Sequence, residues 1–88
     1  MKVQNMIGRT GREVANQFEI FTDKGKYFQS YSTVIAFKPF TGKIQLDEDS
    51  WDYSVTTSKY RNKFLRETKP ETEAKIKSGE YILTDLNR

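Results

Sequence analysis

From Phe18 to Thr22 the chain alternates. Phe18, Ile20 and Thr22 share one side, Glu19 and Phe21 the other, which is the period-two signature of a strand. Asp23-Lys24-Gly25-Lys26 follows as a hairpin turn, with Gly25 free to take positive φ. Tyr27 to Phe37 (YFQSYSTVIAF) is aromatic and β-branched, and reads as the next strand. Its first half alternates, whereas Val34-Ile35-Ala36-Phe37 is continuously apolar and so is expected to be covered on both faces. Pro39 and Gly42 interrupt the chain, and Lys43-Ile44-Gln45-Leu46 resumes the alternation as a third strand. Residues 1–16, with Gly8 and Gly11 and no clear period, read as an irregular arm or a short first strand.

The period changes in the second half. Tyr60 and Phe64 are spaced i, i+4 with Leu65 beside them, as on an amphipathic helix, and one of Thr56, Thr57 and Ser58 is the expected N-cap. Thr68-Lys69-Pro70-Glu71 signals a second helix, through a Thr/Glu capping box and a proline in the first turn. Glu71–Lys75 and Glu73–Lys77 are expected i, i+4 pairs, and Gly79 is the expected stop. Tyr81-Ile82-Leu83 reads as a last strand or an apolar tail. The predicted fold is α+β: a small antiparallel sheet of three to four strands with one or two short helices packed on one face. The predicted organisation is a 1–16 arm followed by a single domain over 17–88.

Composition narrows the chemistry. With no cysteine and no histidine among 88 residues, disulfides, Cys/His zinc sites and histidine-dependent nucleophilic catalysis are excluded. No apolar run approaches the roughly 20 residues of a membrane span, and the first residues lack the apolar core of a signal peptide. A soluble cytoplasmic protein is the expectation. The net charge of +3 conceals blocks: residues 1–43 and 59–77 are each net +4, whereas 44–58 carry Asp47, Glu48, Asp49 and Asp52 without a base.

Placed on a helical wheel at 100° per residue, Lys59, Lys63 and Arg66 share one face, and Tyr60 and Phe64 turn toward the sheet. Such a ridge suits phosphate, helped by Lys24, Lys26, Arg9 and Arg12 from the first half; the plainer reading is a solvated lysine face. Arg61 falls within the apolar arc and must snorkel or meet a carboxylate of the acidic block. Lys24-Gly25 followed by Phe28 and Tyr31 partly fits the aromatic strand motif of RNA-recognition domains, while Lys26, Tyr27 and Gln29 depart from it. The 47–52 carboxylates lack the glycine and distal glutamate of a calcium loop and read as a charged connector. Gly8-Arg9-Thr10-Gly11-Arg12 has two glycines and two arginines but no strand–loop–helix context for a phosphate cradle. Nothing sets a carboxylate pair opposite a nucleophile, so no enzyme, cofactor or metal is expected.

Three segments carry a resemblance: Ser30 to Ala36 (SYSTVIA), Gly42-Lys43-Ile44, and Trp51 to Leu65 (WDYSVTTSKYRNKFL). Over residues 17–66 the chain resembles a family of small bacteriophage and mobile-element proteins classed as a domain of unknown function. The resemblance implies a virus-encoded factor and transfers no functional residue. Two functions are expected. One is a non-enzymatic accessory protein that binds DNA or RNA through the basic helix face. The other is a binder or inhibitor of a host or defence protein through exposed aromatics such as Trp51 and Tyr53. An uncovered edge strand in so small a sheet would also favour a homodimer.

Overall fold

The computed structural model describes residues 1–87 as six strands and two helices in two layers. The strands are β1 (Lys2–Ile7), β2 (Glu13–Phe21), β3 (Gly25–Ser30), β4 (Thr33–Pro39), β5 (Gln45–Asp47) and β6 (Ile82–Thr84). They form one sheet in sequence order, antiparallel from β1 to β5, with β6 parallel to β5. A parallel neighbour requires a long crossover. Here the crossover is α1 (Val55–Leu65) and α2 (Lys69–Lys77), and both helices lie on one face of the sheet. The α+β class is as expected, but the sheet is larger and mixed.

Two segments account for the extra strands. Of the two readings of residues 1–16 the short first strand holds: Lys2–Ile7 pairs with β2, which itself begins at Glu13. YFQSYSTVIAF is not one strand but two, folded at Tyr31-Ser32 so that Ser30 faces Thr33. Tight hairpins need positive φ and usually recruit Gly or Asn. Here Tyr31 takes it (φ 54°), held by a bond from its N–H to the Asn16 carbonyl (2.6 Å) and by the Gln29 amide on its own carbonyl (2.7 Å). Between Phe28 and Gln29 the register slips, because Ile35 is an extra residue in β4. That bulge turns Ile35 and Ala36 into the core side by side and explains the unbroken apolar run.

The core lies between sheet and helices: Met6, Phe28, Ile35, Ala36 and Leu46 meet Phe64, Leu65 and Tyr81. Phe28 and Phe64 stack at 5.7 Å across the layers. Helix α1 begins earlier than expected, and its cap is Ser54, whose Oγ accepts the Thr57 N–H at 3.1 Å. Thr57 itself is buried against Ser30. Helix α2 starts at the Thr68/Glu71 capping box, and Gly79 takes positive φ just after it. The expected Glu71–Lys75 pair does not form, because Glu71 turns back to Thr68 and Lys75 reaches Glu67 at 2.8 Å. Nor do Glu73 and Lys77 pair among the described residues. Among those residues no helix is long and apolar enough to cross a membrane.

Candidate nucleic-acid interface

Sheet register brings lysines from distant parts of the chain together. Lys2 faces Phe21 across β1 and β2, Phe21 faces Lys26 across β2 and β3, and Lys26 faces Lys38 across β3 and β4. Three lysines and a phenylalanine thus form one row over four strands, on the helix side but beyond the end of α1. Like charges directly opposite on neighbouring strands repel. Phe21 and Phe64 supply ring faces that offset part of this. Lys26 Nζ lies 5.7 Å from the Phe21 centroid and 5.5 Å from that of Phe64. Lys38 Nζ lies 4.9 Å from Phe64, and Lys2 Nζ 6.0 Å from Phe21.

The C-terminal end of α1 adds two further cations above this row. Arg66 is the αL cap (φ 59°), so it leaves the helical wheel and swings toward the sheet. Lys63 donates to the carbonyl of Ile7, which ties the helix to the end of β1. Between helix and sheet runs a groove of about 520 Å³, floored by Met6, Phe21 and Phe64 and edged by Lys26, Lys63 and Arg66. It continues past Phe21 and Lys26 to Lys38 and Phe40. Glu19 is its one acidic lining residue and meets Lys26 at 3.4 Å. Among the described residues Lys2, Lys38, Lys63 and Arg66 have no carboxylate within 4.0 Å. Burial first, then the charges of Lys26 and Arg66, push the Lys38 pKa below the ordinary lysine value. Lys26 and Lys38 are half-buried, Lys2, Lys63 and Arg66 are exposed, and among the described residues Glu19 is the one carboxylate within 4.0 Å of any of them.

The other sequence candidates are placed differently. Lys59 lies outside the groove, exposed and with its Nζ 5.4 Å from the ring of Tyr60, so the expected Lys59–Lys63–Arg66 ridge does not hold together. Arg9 and Arg12 are exposed in the loop after β1, whose end receives Lys63. Lys24 is exposed in the β2–β3 turn. Trp51 is not a free anchor. It packs against the core, and its ring covers the Arg61 guanidinium at 5.1 Å, while Tyr53 is exposed. Of the RNA-motif aromatics, Phe28 is in the core and Tyr31 is exposed in a turn, while Tyr27, which departs from the motif, stacks on Phe37 at 4.2 Å. Lys2, Phe21 and Lys38 were not singled out in the sequence, because only the hairpin registers bring them into line.

The acidic block serves structure. Arg61, fully buried, meets Asp52 at 3.2 Å and the Trp51 carbonyl at 2.6 Å, as its position in the apolar arc required. Asp52 also binds Lys69 at 2.7 Å and Ser58 at 2.8 Å. Burial alone would raise its pKa, but these donors hold it below the usual carboxylate value. Asp47, 3% exposed, accepts from Ser50 Oγ and from the Leu86 N–H, so the carboxylates of this block turn to separate partners.

The chain matches the family of unknown function DUF8033 over residues 1–81. It belongs to that family. The match takes in the lysine row and the groove of this DUF8033 protein, including Lys2, Lys26, Lys38, Lys63 and Arg66, and both helices. No curated protein and no solved structure matches the chain.

Proposed function

We propose that this DUF8033 protein is a non-enzymatic accessory factor that binds the phosphate backbone of nucleic acid in the groove between α1 and the β1–β4 end of the sheet. The reading rests on one observation: the Lys2–Phe21–Lys26–Lys38 row faces Lys63 and Arg66, with Glu19 the one acidic residue lining the groove and Glu67 acting on Lys38 from outside it. Phosphate contacts position a protein on nucleic acid without reading sequence. From Lys2 to Ile7 the groove edge spans roughly 17 Å at about 3.3 Å per residue, enough for several phosphates. Arg9 and Arg12 extend the positive field beyond Ile7. The resemblance to phage and mobile-element proteins supports a virus-encoded factor acting in the host cytoplasm. The alternative, a host-protein inhibitor anchored by Trp51 and Tyr53, is weaker because Trp51 is engaged with Arg61 and the core.

Fluorescence anisotropy with labelled single- and double-stranded oligonucleotides tests the proposal. Four or five neutralised phosphates give a slope of roughly −4 in log K against log salt for duplex. Lys38→Glu should weaken binding about tenfold for every sequence, and Lys59→Glu much less. Absence of binding at low salt would refute the reading, as would equal losses in the two variants.

A further inference from the structure

The opposite face of the sheet has no helix over it, and its composition is the reverse of the groove's. Val3, Ile20, Tyr27, Phe37, Gln45 and Ile82 are successive cross-strand partners, one from each strand, and form a row from edge to edge. Beside it run Asn5, Phe18, Gln29 and Val34. Neither row contains an acidic or basic residue, in a chain of which 31% is charged. Asp47, whose parity in β5 points the same way, is withdrawn under Ser50 and the Leu86 N–H. The open face of a two-layer sheet normally alternates to polar and charged residues. Here the charge is on the helix side and the row is uncharged: its end residues Val3 and Ile82 are 54% and 43% exposed, Ile20, Tyr27 and Gln45 are half-buried, and Phe37, stacked on Tyr27, is 9% exposed.

We propose that this face is covered by a second copy of the chain, packed sheet on sheet about a two-fold axis. In such an interface the same patch meets itself, so any charge near the axis would meet its own like. An uncharged face escapes that penalty, although the chain as a whole is net positive. Asn5 and Gln29 already donate to the Val14 and Tyr31 carbonyls at 2.9 and 2.7 Å, and a copy can meet their amide oxygens and the Gln45 amide where a hydrocarbon surface could not. Nucleic acid is a poor occupant, because the face offers no cation and the rings of Tyr27 and Phe37 are turned against each other (16° between planes). Six strands at about 4.8 Å by roughly six residues at about 3.3 Å give on the order of 600 Å² per protomer, the lower end of what stable dimers bury. Two grooves would then face outward on opposite sides, and a dimer could hold two segments of nucleic acid at once.

Sedimentation equilibrium of the full chain tests this, with circular dichroism as the check on folding. The wild-type chain should be a dimer at micromolar concentration. Ile20→Lys, and independently Val3→Lys on the exposed edge, should raise the dimer dissociation constant at least 100-fold with the fold intact. Lys38→Glu, on the other face, should leave the dimer unchanged, so loss of nucleic-acid binding is separable from loss of assembly. Val3→Lys decides the matter if Ile20→Lys unfolds. A wild-type monomer up to about 100 μM overturns the proposal, whether or not another protein binds the face. So does a dimer that survives both lysines but is broken by Gln4→Pro, which would indicate pairing through the β1 edge.

Discussion

Glu67 lies in the short link between the helices, and its side chain is only 4% exposed. Its carboxylate accepts from Tyr81 OH at 2.6 Å, Thr72 Oγ1 at 2.5 Å and Lys75 Nζ at 2.8 Å. These donors belong to α2 and to the residue just before β6, so one side chain fastens the crossover to the strand it delivers. Burial works to raise the Glu67 pKa, but Lys75, Thr72 and Tyr81 together hold it below the ordinary glutamate value. Glu67→Gln keeps the shape, removes the charge, and sets an NH2 donor among three donors. Bonds to charged groups contribute about 1.5–3 kcal/mol each and are not additive, so the expected loss is about 3 kcal/mol. A domain of this size has roughly 4–13 kcal/mol in all, so the loss is a large fraction. Urea denaturation at pH 7, followed by circular dichroism, measures it. The sign of the pH dependence follows from the lowered pKa. Stability from ionised Glu67 is present above the unfolded value near 4.5 and is lost as pH falls through the lower folded value. Glu67→Gln should therefore flatten the acid limb below about pH 4.5. A variant within about 1 kcal/mol of wild type, with an unchanged acid limb, would refute the role assigned to this carboxylate.

Tyr81 titrates at the other extreme. Burial and its bond to Glu67 push its pKa from 10.0 up to about 12. The stability this represents is complete below pH 10 and is lost between about pH 10 and 12; Tyr81→Phe should remove that limb of a pH–stability curve. Gly25 has φ 152°, and a Cβ there would lie 2.2 Å from the Lys38 carbonyl oxygen. Gly25→Ala should cost about 3 kcal/mol in urea denaturation and weaken oligonucleotide binding, because it forces apart the strands that carry Lys26 and Lys38. Arg61→Met fills the same buried space but strips the Trp51 carbonyl of its donor and Asp52 of a cation, and a loss of about 2–3 kcal/mol in the same assay is expected.

What the chain discloses locally, it discloses well. Helix α2 is legible because its punctuation is local: Thr68 and Glu71 are three residues apart, Pro70 lies in the first turn, and Gly79 closes the end. Arg61 could be assigned a carboxylate partner because an apolar arc will not hold a bare guanidinium. The hairpin at Tyr31-Ser32 was not legible, since neither residue advertises positive φ; distant contacts from Asn16 and the local Gln29 amide hold it. β1 was legible only as one of two alternatives, for a related reason. Only Met6 of that edge strand is buried, so Lys2 to Ile7 shows no strong alternation. The parallel pairing of β6 with β5 spans both helices and leaves no local trace.

The groove and the uncharged face have a common origin in the β2–β3 turn. Thr22 closes it, donating its backbone N–H to the Gly25 carbonyl at 2.8 Å while its Oγ1 accepts the Gly25 N–H at 3.2 Å. That closure sets Phe21 opposite Lys26 and Ile20 opposite Tyr27. Side chains alternate strictly along a strand, so the same register sends Lys26 to the helix side and Tyr27 to the open side. The β3–β4 pairing then carries both choices onward, Lys26 to Lys38 and Tyr27 to Phe37. A helical wheel cannot find this arrangement. It grouped Lys59 with Lys63 and Arg66, whereas the cations that converge come from three strands and one helix end, up to 64 residues apart from Lys2 to Arg66. A one-residue slip at that turn would exchange the two faces, placing lysines on the side without helices and aromatics in the groove. The charge separation between the faces is thus a property of register, and both proposed binding surfaces depend on the tight approach that Gly25 alone allows.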